Sequence, residues 1–254
     1  QLYDPVTEYS LPPSIEKKVV SCGYVGRTQP DVSREDTRRD LALQSDRLVL
    51  VTPGGGNDGY PLVKAYVTML RKRFTSRRPD FDTLIVTGPL MSPEQHRRLQ
   101  QAASPKLALT VLDFTPRLYE YLAAADLVVS MGGYNTVVEI LTANQRGIIV
   151  PRVRPRLEQY IRAERLAAHG LIDMMHPDQL TPTSLFKAIT QSLQQPRPPR
   201  SEDIGIPLNG GANVSRAVTQ LFMETQHMRT STALISPPSD ILSRATLRAH
   251  HSTV

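Results

Sequence analysis

The sequence predicts a doubly wound, Rossmann-like α/β fold built on an open parallel sheet. Three observations carry this. Short apolar runs alternate with segments of helical apolar spacing through most of the chain, the order that parallel β-α-β crossovers produce. The runs are apolar almost throughout, as suits strands covered on both faces. Two of them end in glycine turns, Pro53-Gly-Gly-Gly-Asn-Asp-Gly59 and Met131-Gly-Gly133, each leading into an apolar-periodic helix.

Taken in order, residues 1 to 16, with Pro5, Pro12 and Pro13, read as an extended connector, and Lys18-Val-Val-Ser-Cys22 as a short strand. Gly23-Tyr-Val-Gly-Arg27 is a turn that ends in a cation. Thr28 to Ser45 is polar, rich in Asp and Arg and aperiodic, which predicts a linker or surface loop. The core begins with Arg47-Leu-Val-Leu-Val-Thr52. After its glycine loop, Leu62, Val63, Tyr66, Val67 and Leu70 recur at helical spacing, with Pro61 suited to the first turn. Thr83 to Gly88 is the next strand, Pro93 to Ala103 a helix, Lys106 to Leu112 a strand and Pro116 to Ala125 a helix. Asp126 to Ser130 is a strand and Asn135 to Leu141 opens its helix. Gly147-Ile-Ile-Val150 follows, then a helix from Leu157 to His169 closed by Gly170, and a last short strand from Leu171 to Met174. Leu185, Ile189 and Leu193 mark an amphipathic helix from Thr181; a proline-rich break and one more helix, through Val214, Val218, Leu221 and Phe222, come after it. The expected division is a connector and first strand over 1–22, a ligand-binding domain over 23–225 and a mobile tail over 226–254.

Composition narrows the function classes. The single cysteine, Cys22, excludes an internal disulfide and a cysteine-built zinc site, and a reducing, cytoplasmic setting is expected. No apolar run approaches the ~18 residues of a membrane span. A net charge of +6 and a pI near 9.6 suit an anionic partner. The basic residues are clustered, as in Arg71-Lys-Arg73 and Arg77-Arg78, tryptophan is absent and aromatics are 6%, so no stacking platform for nucleic acid is expected.

The richest stretch is Asp126 to Glu139. A strand, the Gly132-Gly133 turn and a helix start put unpaired backbone N–H groups and the positive end of the macrodipole at one point, which holds an anion without any lysine. Glu139 lies one turn beyond Asn135 on the same face, where a carboxylate accepts hydrogen bonds from ribose hydroxyls. This predicts a nucleoside diphosphate site; a packed turn with a solvated glutamate is the plainer alternative. Consecutive Gly54, Gly55 and Gly56 fit neither the dinucleotide-binding Gly-x-Gly-x-x-Gly nor a P-loop, since no Gly-Lys-Ser/Thr follows.

With Gly23-Tyr-Val-Gly-Arg27 and Met131-Gly-Gly-Tyr-Asn-Thr-Val-Val-Glu-Ile140, the chain from Gly23 to about Leu193 resembles the C-terminal, donor-binding half of GT-B glycosyltransferases. It is similar both to the family that adds N-acetylglucosamine to the lipid-linked muramoyl-pentapeptide and to a bacterial group of predicted glycosyltransferases. The resemblance implies roles. Gly54, Gly55, Gly56 and Asn57 would form a phosphate-side loop, and Phe114 and Thr115 would cap the nucleobase and bond it through backbone groups. Gly132, Gly133, Tyr134, Asn135 and Thr136 would hold the diphosphate, Glu139 the ribose, Glu158 and Gln159 the donor sugar, and Arg27 would lie near the diphosphate, with Arg152 or Arg154 adding charge. Glu158 stands where relatives commonly carry Gln. Plainer readings remain: Phe114 as a core aromatic, Glu158 and Gln159 as a solvated first turn, Arg27 paired with Asp31 or Glu35.

The implied reaction moves a sugar from a nucleoside diphosphate sugar, UDP type favoured, to an unknown acceptor. No metal is expected, because helix N–H groups can carry the charge that develops on the β-phosphate and because an Asp-x-Asp motif is taken to be missing. In the family the acceptor and the general base belong to an N-terminal half, so no catalytic residue is expected in this chain, and donor binding without turnover is. A nucleotide-sugar epimerase or hydrolase, and a non-catalytic binding domain, are the competing classes. Peripheral contact with a membrane's inner face, through Arg71 to Arg78, is a further expectation, and nucleic acid is not an expected partner.

Overall fold

The computed structural model describes residues 3–55 and 58–233, with side chains as far as 227. It divides into two compact units, residues 1–211 and 212–254. In the first unit β1 (Leu48–Thr52), β2 (Asp82–Val86), β3 (Leu109–Leu112), β4 (Leu127–Ser130), β5 (Gly147–Ile149) and β6 (Asp173–Met174) make one sheet in the order β3-β2-β1-β4-β5-β6. Every pairing is parallel. The crossovers are α4 (Tyr60–Arg73), α5 (Pro93–Gln100), α6 (Leu118–Ala124), α7 (Tyr134–Thr142) and α8 (Glu158–Ala168), and α9 (Pro182–Ser192) follows β6. The doubly wound architecture is therefore present, with strand β3 shorter than expected because 105–107 form a 3₁₀ turn.

Alternation within each strand explains the unbroken apolar runs. Val49, Val51, Ile85 and Val129 face a core with Val63, Tyr66 and Leu70 of α4. Leu48, Leu50, Leu84 and Val128 face a separate core with Leu122 of α6 and Val137 and Ile140 of α7. Successive side chains point to opposite faces, so a strand covered on both sides needs an apolar residue at every position. Each such side chain, fully buried, contributes about 1.5–3 kcal/mol relative to exposure.

Three sequence expectations are corrected. Residues 18–22 make no strand: Val19 and Val20 are exposed, and the chain makes only an isolated antiparallel bridge, Val25 with Asn209. Ahead of it, the expected extended connector contains two one-turn helices, α1 (Pro5–Glu8) and α2 (Pro13–Glu16), each with proline in its first turn, where the missing N–H is no loss. The polar segment 28–45 is not a linker, since it holds α3 (Arg34–Asp40), capped by Ser33 on the Asp36 N–H at 3.0 Å. The helix α10 (Gly210–Ala233) continues past 225, so residues 226–233 are helical; the rest of the expected tail, 234–254, lies outside the described residues.

Helix α3 is tied in through charge. Arg34 donates to Asp126 Oδ1 at 2.5 Å and to the carbonyl of Ala125 at 2.8 Å. Arg38, one turn on, donates to Asp126 Oδ2 at 3.0 Å and to the Ala124 carbonyl at 3.0 Å. The same Oδ2 accepts the Leu48 N–H at 2.7 Å, so one carboxylate joins α3 to the start of β1 beside β4. Asp126→Ala leaves two guanidinium groups and a strand N–H short of their acceptor and is expected to cost about 2–3 kcal/mol; urea unfolding checks it.

Candidate functional site

Strands β1 and β4 are neighbours, with Thr52 opposite Ser130, yet their helices leave for opposite faces: α4 packs in one core and α7 in the other. Divergence of this kind opens a crevice at the carboxyl ends of the strands, the usual ligand position in such sheets. Both glycine turns lie there.

The turns are held by contacts that a side chain would prevent. Gly54 has φ +85° and Gly132 φ +78°, and a Cβ on Gly132 would lie 2.6 Å from Ile149 Cγ2. A third turn follows β2. Gly88 has φ +86°, and a Cβ there would meet the Gly54 carbonyl oxygen at 2.1 Å; Leu90 N–H also donates to the Gly55 carbonyl at 2.8 Å. Gly133 differs. It is the N-cap of α7, with φ −55° and ψ 150°, no side chain caps the helix, and a Cβ would meet nothing within 4 Å. No side chain takes up the first N–H groups of α7, which carry the positive end of the helix dipole.

A cleft of about 380 Å³ collects these parts. Gly54 and Gly55 form one wall; Gly133, Tyr134, Asn135, Thr136 and Glu139 form another; Phe114 and Thr115 lie at its side. Gly132 is adjacent, buried beneath the turn. Phe114 is 61% exposed, so it is no core aromatic; its N–H is taken by Asp113 Oδ1 at 2.7 Å. Val86, Gly88, Pro89 and Leu118 also line the cleft and were not expected. Gly88 was readable as a glycine ending an apolar run, the signal that marked Gly54.

Glu139 is a buried carboxylate, its side chain 7% exposed. Arg27 reaches it with Nε at 2.9 Å and Nη2 at 2.6 Å, both to Oε1. Arg27 thus pairs with neither Asp31 nor Glu35, and it stands on the expected ribose acid. The backbone around it is fixed to α7: Arg27 N–H donates to Thr142 Oγ1 at 3.3 Å and Val25 N–H to Tyr134 Oη at 3.2 Å, while the Tyr24 and Tyr134 rings stack at 5.9 Å. Tyr119 lies beneath the Arg27 guanidinium at 5.8 Å; burial, with the Glu139 charge adding to it, raises its phenol above the ordinary value.

Other expected residues are not gathered. Glu158 is paired with Arg162, a buried arginine whose guanidinium also sits 5.5 Å from the Tyr134 ring. Gln159 Oε1 accepts the Arg152 N–H at 3.1 Å, and Arg152 pairs with Asp58 at 3.1 Å. None of these five residues lines the cleft. Gly56 and Asn57 lie outside the described residues. The expectation about Asp-x-Asp is wrong as a statement of sequence, because Asp80-Phe-Asp82 is one. Its Asp82 opens β2, at the far end of the sheet from the cleft, and is spent on the Gln44 and Ser45 N–H groups and on Arg78. Among the described residues no group of three or more His, Cys, Asp or Glu is placed to hold a metal ion.

A hollow of about 440 Å³ is larger, and its lining includes Leu48, Asp82 and Leu109, the first residues of β1, β2 and β3. Volume alone favours it, but it lies at the amino ends of the strands, without a glycine turn or a helix start aimed into it. The chemistry is in the smaller cleft.

These features define a Rossmann-like α/β domain with an uncapped helix start and a buried acid at its switch point, the build of a GT-B half. The glycosyltransferase family 28 C-terminal domain model matches residues 48–205. The chain belongs to that family. It is 28% identical over 186 residues to the UDP-N-acetylglucosamine–N-acetylmuramyl-(pentapeptide) pyrophosphoryl-undecaprenol N-acetylglucosamine transferase of Desulfitobacterium hafniense, covering 72% of this chain and 50% of that protein. It is 27% identical over 184 residues to an uncharacterized glycosyltransferase of Methanopyrus kandleri, covering 71% and 49%. The chain spans about half the length of these curated relatives. Among solved structures, the glycotransferase of kitacinnamycin superposes with a TM-score of 0.52 at 20% identity, over 71% of this chain and 42% of that one, which speaks to fold.

Proposed function

We propose that this chain is the donor-binding half of a glycosyltransferase that takes a sugar from a nucleoside diphosphate sugar, UDP type favoured. The observation that carries the reading is the pairing of an uncapped α7 start with a buried carboxylate, Glu139, in one cleft. The N–H groups of 134–136 would hold the diphosphate and stabilise the charge that grows on it as the sugar leaves. Glu139 would take ribose hydroxyls, and the 61% exposed Phe114 would cover the base. Family membership supports the reaction class, and the names of the relatives support UDP. Gly54 and Gly55 would flank the phosphates. Gly56 and Asn57 are proposed for the same loop, and Glu158 and Gln159 for the sugar on resemblance alone.

The acceptor and the general base would come from a second, N-terminal half, matching the part of the curated relatives this chain does not cover, so the domain alone would bind donor without turnover. No catalytic residue is assigned here. The site would work without a metal. The reading has the protein in the cytoplasm with peripheral contact to the membrane's inner face; no helix among the described residues is long and apolar enough to cross a membrane.

Calorimetric titration with UDP, GDP, ADP and dTDP, with and without magnesium, tests this. One nucleotide is expected to saturate regardless of metal, and Glu139→Ala to weaken it about tenfold or more, the worth of a hydrogen bond to a charged group. If no nucleotide binds, or if Glu139→Ala binds as tightly as the parent, the proposed site is wrong.

A further inference from the structure

Arg162 is the one buried arginine among the described residues, 3% exposed. A buried ion pair adds little net stability once both partners are desolvated, which leaves the placement of this guanidinium to be explained. From α8, Nη2 takes the Glu158 carboxylate and Nη1 reaches the Gly132 carbonyl oxygen at 3.5 Å, a long contact in which the full charge still attracts the carbonyl dipole. No other described residue donates to that oxygen. The cation also stands 5.5 Å from the Tyr134 ring, so it meets the residues on both sides of Gly133. The peptide between Gly132 and Gly133 is trans, and in a trans peptide the C=O and N–H point in opposite directions. With the Gly132 oxygen turned to Arg162, the Gly133 N–H is turned away from it. That N–H has no acceptor among the described residues, and Gly133 lines the cleft.

We infer that Arg162 is a positioning residue for the donor site: by holding the Gly132 carbonyl it sets the 132–133 peptide so that the Gly133 N–H is presented to the diphosphate, a donor beyond those of the helix itself. This rests on the donor-site reading of the cleft. Arg162 acts through the peptide, for it does not itself line the cleft. The pairing also gives Glu158 a task, since a buried guanidinium requires a counter-charge and the Gln that relatives commonly carry would supply none. A purely structural arginine would weaken nucleoside and nucleoside diphosphate alike, whereas one that sets a phosphate donor weakens only the second.

The test is titration of the parent chain, Arg162→Met and Arg162→Lys with UDP and with uridine. Arg162→Met is expected to bind UDP about tenfold more weakly than the parent, the worth of one hydrogen bond to a charged group, and uridine within about twofold of it. Arg162→Lys keeps the charge but not the planar fork; its single ammonium stays on Glu158, and the loss with UDP is expected to persist. Full recovery in the lysine variant would mean that charge alone is enough, and it overturns the inference. Equal losses with UDP and uridine, or no loss with UDP, overturn it as well. A measurement on the parent chain alone covers the case in which Arg162→Met does not fold: by NMR the Gly133 amide proton is expected to move downfield when UDP saturates and to stay in place with uridine, and a resonance unmoved by UDP refutes the role. Failure of both ligands to bind the parent chain would instead remove the donor-site reading on which the inference stands.

Discussion

The Gly88→Ala variant is expected to unfold about 3 kcal/mol or more earlier than the parent chain and to bind nucleotide about tenfold more weakly. Two costs combine. At φ +86° an L side chain crowds its own carbonyl, worth about 1–2 kcal/mol. The added Cβ would also stand 2.1 Å from the Gly54 oxygen and 2.8 Å from the Gly55 carbonyl carbon, both backbone atoms without a rotamer to escape into. Gly88 cannot retreat freely, because its N–H donates to the Asp113 carbonyl at 2.8 Å and continues the β2-β3 ladder. The phosphate-side turn must therefore move, and with it one wall of the cleft. Gly170→Ala separates the two costs: φ is +69° but nothing lies within 4 Å of the Cβ, so it should lose only the backbone part, about 1–2 kcal/mol, and none of the binding. Equal losses in the two variants by urea unfolding would show that the contact with Gly54 carries no weight.

The sheet was legible because burial on both faces writes itself into every strand residue. The turns were legible for a related reason, since glycine is what a left-handed residue between strand and helix demands. Errors fell where a local pattern lacks its tertiary partner. Val19 and Val20 look like strand residues, but no strand lies beside them, and they stay exposed. The 28–45 segment looked structureless because it has little apolar face to bury. Its helix is fixed by Ser33, by Arg34 and Arg38 one turn apart, and by an aspartate at 126, far away in the chain. Ser33 with Asp36 three residues on was a cap signal available in the sequence. Within the candidate site, residues on the glycine turns came together because the topology delivers them. Glu158 does not line the cleft, and its carboxylate pairs with Arg162 one turn away. The Arg27 pairing with Glu139 spans 112 positions, and nothing local announces it.

Gly133→Asp is expected to raise stability and abolish donor binding together, and this opposition makes it the sharpest test of where the diphosphate sits. The position accepts a side chain without strain: φ −55° and ψ 150° suit an N-cap residue, and a Cβ there meets nothing within 4 Å. An aspartate would accept hydrogen bonds from the uncapped first turn of α7 and set a negative charge against the dipole, while removing glycine's freedom in the unfolded chain. Together these are worth about 1 kcal/mol, a rise of about 2–4 °C in Tm for a domain of this size. Binding goes the other way, because the N–H groups are occupied and a fixed carboxylate repels a diphosphate at about 4 kcal/mol per charge pair near a protein surface. A loss of at least about a hundredfold follows. Gly133→Ser caps the same groups without the charge and should weaken binding far less. If Gly133→Asp gains stability and still binds nucleotide like the parent chain, the α7 start is an ordinary helix end, and the diphosphate must be held elsewhere in the cleft.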